Sequence, residues 1–350
     1  MTTPPQRTEP VRIAVTGLGY WGPNLLRNLV ELAEAEVTAI CDLDQERLDV
    51  FARRYPAVGT TPRFDDVLED ESIEAVVIAT PVSTHFDLAR RALEAGKHVF
   101  VEKPFAASAD EARRLIEIAA RADRLIMPGH TFLYSPPVNL VRDLIQSGDL
   151  GEVYFVSTSR VNLGLHQPDV SVAWDLGPHD FSILRYWLGE SPTHVSALSR
   201  GCVIPAIPDV AFINLEFPSG AIAHAELSWL SPSKLRRTTV VGSRKMAVYD
   251  DTSNEPVRVF DSGVSFRDPE TFGEYRLSYR TGDIVSPHIQ AVEPLRLSML
   301  DFCRAIRTGE APRSSSEVGL EVVRMIEAVE ESLAANGTRV ELRDLAPVAG

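Results

Sequence analysis

Residues 11–22 read Val-Arg-Ile-Ala-Val-Thr-Gly-Leu-Gly-Tyr-Trp-Gly, an apolar run that ends in glycines at positions 17, 19 and 22. A helical pattern of Leu25, Leu26, Leu29, Val30 and Leu32 follows at once. A buried strand that turns through glycine into a helix suits a pyrophosphate. Gly17 permits the tight turn, Gly19 lets the backbone approach the phosphates, and Gly22 lets helix and strand pack closely. The free N–H groups at the helix start then meet the negative charge. The G-x-G-x-x-G spacing is weak evidence alone, and an acidic residue strengthens it. Asp42 ends the next apolar run, twenty positions after Gly22. There a carboxylate hydrogen-bonds the ribose 2′-hydroxyl of NAD and repels the 2′-phosphate of NADP. Tyr20 and Trp21 lie inside this turn and count among the expected cofactor contacts.

At 350 residues the chain has room for two domains. Its 44% hydrophobic and 24% charged composition is that of a soluble globular protein. A net charge of −14 argues against nucleic acid or an anionic membrane as partner. The N-terminal MTTPPQRTEP lacks the apolar core of a signal peptide. Cys41, Cys202 and Cys303 are odd in number and far apart, which fits reduced thiols in a cytoplasmic protein. No His/Cys/Asp cluster has ligand spacing, so no catalytic metal is expected.

Along residues 10–128 apolar strands alternate with helices and no hairpin signal intervenes, which predicts a Rossmann-type, doubly wound parallel sheet. Helices are expected over 45–54, 84–95 and 110–122, and strands over 72–79, 98–101 and 125–128. Ligands of such sheets bind outside the carboxyl ends of the strands. That edge collects Gly17–Gly22, Thr80-Pro81 with His85 nearby, and Glu102-Lys103-Pro104. Residues 129–345 read differently. Helices are expected over 135–147 and within 174–189, then alternating strands to about residue 250, with Pro218-Ser219-Gly220 as a hairpin turn. The expectation is a second α/β domain with an open, mainly antiparallel sheet, one face of it free for an oligomer interface. Residues 251–287 read as loops with short strands, and two amphipathic helices near the end cover 294–307 and 316–335.

Two constellations carry chemistry. Lysine is rare, with only Lys97, Lys103, Lys234 and Lys245 present. Lys103, at the ligand end of a strand, is placed to hydrogen-bond a substrate hydroxyl or to take part in proton transfer; pairing with Glu102 is the plain alternative. Asp175 and His179 are four apart and share one helix face. A histidine oriented by a carboxylate can accept a hydroxyl proton near neutral pH. The alternative is an N-cap aspartate with a helix histidine packed beside it.

Taken together, these residues resemble the glucose–fructose oxidoreductase / inositol dehydrogenase / MocA family of sugar dehydrogenases over nearly the whole chain. The markers are Gly17–Gly22, Ala79-Thr80-Pro81 with His85, Glu102-Lys103-Pro104, and Asp175 with His179. The resemblance implies NAD(P)-dependent hydride transfer at a ring carbon of a sugar, nucleotide sugar or cyclitol. It assigns Lys103 and His179 as the catalytic pair with Asp175 in support, and dimers or tetramers built through the open sheet. Gly19–Asn24 (GYWGPN) and Arg160–Leu165 (RVNLGL) look most like members of nucleotide-sugar and antibiotic-sugar pathways, some of which oxidise C3 of a hexose. Val170–Trp174 stands where many members carry a glycine-rich run, so Trp174 is expected to reshape the pocket mouth. His130, Arg160 and Asn162 complete the expected substrate set, with a structural histidine at 130 and a surface ion pair at 160 as alternatives. The leading reading is an NAD-dependent dehydrogenase. Its rivals are an NADPH-dependent 3-ketosugar reductase, since Arg47 stands near Asp42, and a non-catalytic dinucleotide sensor.

Overall fold

The computed structural model describes residues 9–164, 166, 170–266 and 277–342. They fall into two compact units. One comprises the chain to Tyr134 with Val292–Val323, and the other Ser135–Ala291 with the stretch from Arg324.

In the first unit six parallel strands are β1 (Val11–Thr16), β2 (Ala35–Cys41), β3 (Gly59–Thr61), β4 (Ala75–Ile78), β5 (His98–Val101) and β6 (Ile126–Pro128). Their order is β3-β2-β1-β4-β5-β6, the two-halved arrangement that opens a crevice between β1 and β4. β1 and β4 are almost wholly buried, as near-continuous apolar strands in a helix-covered sheet must be. The connecting helices are α1 (Gly22–Val30), α2 (Gln45–Arg54), α3 (Phe64–Glu69), α4 (Val82–Glu94) and α5 (Ala109–Ala122). Side chains start two of them: Asp44 accepts from the N–H groups of Glu46 and Arg47, and Ser108 accepts from Glu111. β3 had no sequence signal, because a three-residue exposed edge strand has no period to read.

In the second unit lie α6 (Pro136–Gln146), β7 (Val153–Leu163), α7 (Val172–Leu188), β8 (His194–Arg200), β9 (Val210–Glu216), β10 (Ile222–Ser228), β11 (Leu230–Gly242), β12 (Met246–Asp250), β13 (Val257–Phe266) and β14 (Leu277–Val285). α8 (Pro294–Thr308), α9 (Ser316–Ala334) and the short β15 (Val340–Glu341) follow. Nine strands pair in the order β14-β13-β12-β11-β7-β10-β9-β8-β15. β7 and β10 run parallel and every other pairing is antiparallel. The Phe217–Ala221 turn closes β9 onto β10, with Gly220 at φ 89°. Residues outward on the sheet include the register partners Ile222 and Phe155, and Leu198 and Phe212, all exposed.

Three expectations change. Residues 251–287 hold two long paired strands, β13 and β14, where loops with short strands were expected; Asp261 and Arg280, ion-paired at 3.0 Å, are among the charges that mask their alternation. α7 starts at Val172, before the expected 174–189, so Pro178 sits in its second turn. The helix continues through it, with Phe181, Ile183, Leu184 and Trp187 buried beyond. Finally, α8 packs with the first unit, although it follows the second sheet in sequence. Phe302 meets Phe100 edge-on at 5.8 Å, and Arg307 holds Glu74 at 2.7 Å. That guanidinium keeps the Glu74 carboxyl down at about 2.

Candidate active site

On the first unit the glycine turn is built by exclusion. Gly17 has φ 92°, and a Cβ there would stand 2.6 Å from the Ala79 carbonyl oxygen. A Cβ on Gly22 would stand 1.8 Å from the Gly17 carbonyl oxygen. At Gly19 the nearest atom to such a Cβ is an Arg47 guanidinium nitrogen at 3.9 Å. Packing therefore demands two of the glycines, and the third leaves the backbone open to approach. α1 begins here without a side-chain cap and without an acid in its first turn, so the positive end of its dipole is left for an anion. These features fit a dinucleotide.

Asp42 has a double duty. Its Oδ2 accepts from the Leu18 N–H at 2.6 Å and its Oδ1 from the Asp44 N–H at 2.9 Å, which ties the turn to the end of β2. Arg47 lies 3.7 Å from Asp42 and 3.3 Å from Asp44. The carboxylate keeps lone pairs beyond these bonds for a ribose hydroxyl.

Trp21 is 38% exposed and stacks on the exposed Tyr20 at 6.4 Å. Glu102 is buried and accepts from the Lys103 N–H at 3.2 Å. Burial pushes its carboxyl up to about 7, against the pull of the Lys103 charge. Lys103 thus follows β5 on a backbone fastened to its neighbour. His130 is buried beyond β6, and burial, helped by the Lys103 charge, holds its imidazole down at about 4. Neither of its ring nitrogens has a hydrogen-bond partner among the described residues.

His85, expected among the cofactor contacts, takes another part. It is 1% exposed, and its ring nitrogens lie 2.9 Å from the carbonyls of Thr80 and Pro104. It is a strut between the turn after β4 and the segment after β5. Burial lowers its pKa despite both bonds. Thr80 pairs its hydroxyl with Thr84 at 2.7 Å, bracing the Pro81 turn.

On the second unit, α7 divides its polar residues between two faces. Ser171 caps it, its hydroxyl accepting from the Trp174 N–H, so the Val170–Trp174 departure is the start of this helix. Trp174, Asp175 and His179 are partly exposed. Asp175 accepts from the indole of Trp229 at 3.1 Å. Asp180 faces inward, 2% exposed, with Arg160 Nε at 2.6 Å and the Thr158 hydroxyl at 2.7 Å. Arg160 is therefore half of a buried ion pair that fastens α7 to β7, correcting both the surface pair and the substrate contact expected of it. Burial opposes its charge and Asp180 outweighs burial, so its pKa is raised. Asn162, partly exposed, is two residues further along β7.

Residues 11–130 match the model of the oxidoreductase family with an NAD-binding Rossmann fold, and residues 138–248 match the GFO/IDH/MocA C-terminal domain. D-xylose 1-dehydrogenase (NADP(+)) 2 of Haloferax volcanii is 30% identical over 89% of this chain and 94% of its own. The chain belongs to the Gfo/Idh/MocA family. It is an NAD(P)-dependent oxidoreductase of a family that acts on sugars and cyclitols. Among further members, the dTDP-3,4-didehydro-2,6-dideoxy-alpha-D-glucose 3-reductase of Saccharopolyspora spinosa is 25% identical over 92% of this chain and 96% of its own. The crystal structure of GenD2 from gentamicin A biosynthesis, in complex with NAD, shares the family fold with a TM-score of 0.82 at 23% identity. The match covers 98% of this chain and 99% of that one.

Among the described residues no group of His, Cys, Asp or Glu is arranged to hold a metal ion, and no helix is long and apolar enough to cross a membrane. Trp229 was not among the residues the sequence pointed to. A tryptophan fifty-four positions from its carboxylate leaves no local signal.

Proposed function

We propose that this family member is an NAD-dependent dehydrogenase that oxidises a secondary ring hydroxyl, at C3, of a sugar, nucleotide sugar, aminoglycoside sugar or cyclitol. The observation that carries the reading is the split on α7: Asp175 and His179 stand one turn apart outside the core, while Asp180 is locked into it. A partly exposed carboxylate and imidazole on one face suit proton handling rather than packing. NAD, when bound, supplies the hydride acceptor. His179 takes the hydroxyl proton, Asp175 orients the imidazole and the substrate hydroxyl, and Lys103 hydrogen-bonds the reacting oxygen. Gly17, Gly19, Tyr20, Trp21, Gly22, Asp42, Thr80, Pro81 and Glu102 form the cofactor set. His130, Asn162 and Trp174 complete the substrate set, and His85 supports the cofactor set without touching it. A homodimer or homotetramer through the open sheet face belongs to the same reading, and sedimentation equilibrium tests it.

The test is absorbance at 340 nm with NAD and then NADP against UDP-hexoses, aminoglycoside-type sugars and inositols. NADH formed with one class supports the dehydrogenase and names the substrate. The second reading, a 3-ketosugar reductase using NADPH, draws on Arg47 beside Asp42 and on the Saccharopolyspora relative. NADPH consumed by a 3-keto sugar, with every alcohol silent, decides for it.

A further inference from the structure

Trp229 follows β10 and is 1% exposed. Its main chain is clamped on both sides: its N–H donates to the Asp209 carbonyl at 2.9 Å, and its carbonyl accepts from the Gly164 N–H at 2.9 Å. Its ring is walled in as well. A Cβ on Gly164 would stand 2.8 Å from indole Cδ1, and the His166 ring lies 5.3 Å away, tilted by 58°. His166 in turn reaches 3.5 Å from the carboxylate of Asp209. Asp209 itself is fully buried and accepts from the N–H groups of Cys202 and Val203.

An indole has one polar atom, a donor, and burying it without a partner costs free energy. Here that donor points at Asp175 Oδ2. The ring has no rotational freedom to follow a moving carboxylate, so the carboxylate must sit where the ring points. We propose that Trp229 is a positioning residue that fixes the Asp175 carboxylate for substrate. The inference rests on the role given to Asp175 above. A neutral donor suits the task, because it orients the carboxylate without cancelling the charge that has to orient His179.

Three changes in the full-length protein test this. Trp229→Phe removes the N–H, and benzothienylalanine placed at position 229 removes it while keeping the bicyclic shape. Asp175→Asn tests the carboxylate. The first measurement needs no substrate. In an indole 15N–1H spectrum the signal lost in Trp229→Phe identifies Trp229, and Asp175→Asn is expected to move that signal and leave Trp21 and Trp187 in place. A Trp229 signal that ignores Asp175→Asn overturns the inference. The second measurement is turnover of the alcohol found in the absorbance panel. Both position-229 variants are expected to lose roughly 10- to 100-fold in kcat, the range for one hydrogen bond to a charged group, with the Kd for NAD unchanged. Adding Asp175→Asn to either is expected to cost much less than it does alone. Full turnover in the benzothienylalanine protein beside an impaired Asp175→Asn overturns the inference and leaves the dehydrogenase reading standing. Full turnover in Asp175→Asn overturns the role of Asp175, and the positioning role falls with it.

Discussion

The glycine turn after β1 and the first turns of α7 both set polar groups outside a buried element, but they are made of different materials. In the turn the working atoms are backbone N–H groups, and side chains matter by being absent. Packing requires Gly17 and Gly22 to lack a Cβ, and open space at Gly19 completes the cradle. On α7 the polar atoms are side-chain tips, and partners from elsewhere hold them: Trp229 bonds the partly exposed Asp175, and Arg160 and Thr158 hold the buried Asp180. A site of the first kind is written in consecutive residues. One of the second kind is written across the domain.

The contrast breaks first at Gly22. A Cβ 1.8 Å from a carbonyl oxygen meets backbone, which cannot swing aside. Gly22→Ala is expected to cost about 5 kcal/mol or more, the exceptional end of single substitutions, and to abolish dinucleotide binding. Urea melts and titration calorimetry with NAD check both. An alanine variant of ordinary stability would mean that the turn is softer than its packing implies.

Arg160 sharpens the other side. Arg160→Met strands Asp180 in the core, so about 3–5 kcal/mol of stability should go, as for other buried pairs that lose one partner. The folded variant should bind NAD as before. Near-normal stability with a raised KM would instead return Arg160 to the substrate set.

These cases show what was legible and why. The parallel, doubly wound character of the first sheet, the helices at 45–54 and 110–122 and the glycine turn were readable because each depends on a run of neighbours, whereas the strand order and β3 were not. Asp42 was readable because its spacing from Gly22 is fixed by one strand–helix–strand unit. Arg160 was not. Its sequence neighbourhood is an ordinary strand, and only the register of β7 against α7 turns it inward to Asp180. His85 looked like a ligand for the same reason: a histidine beside a Thr-Pro turn carries no mark of the two carbonyls that hold it. β13 and β14 were hidden by their charged, exposed positions.

Glu102 belongs to the first unit but behaves like the side-chain sites, so it tests the contrast through pH. Its carboxyl lies at about 7 in the folded protein against an ordinary value near 4.5. Between those values the folded state binds more protons than the unfolded one, so this group lowers stability as pH rises from about 4.5 to about 7, and the loss is complete above. The size is on the order of 3 kcal/mol. His130, held at about 4, acts in the opposite direction: its contribution is lost as pH falls from 6.5 through 4. The two mask each other in the native protein. The difference between native protein and Glu102→Gln isolates Glu102: equal stability is expected at pH 4 and a more stable variant at pH 8. A pH-independent difference would show that packing, not ionisation, sets the environment of Glu102.

Gly19 gives the smallest effect and the finest test of what the glycine turn is for. If all three glycines were there for packing, Gly19→Ala would resemble Gly22→Ala. A Cβ at position 19 meets only the end of a flexible arginine at 3.9 Å, so the folded protein has room for it. Unchanged stability is therefore expected, within about 0.5 kcal/mol. The methyl group instead occupies the space through which phosphate oxygens reach the backbone N–H groups, and the Kd for NAD should rise about tenfold, or 1.4 kcal/mol. Thermal melts without cofactor and calorimetry with NAD separate the two effects in one variant. A loss of binding without a loss of stability makes Gly19 a ligand-facing glycine, whereas Gly22 is a packing glycine three residues away.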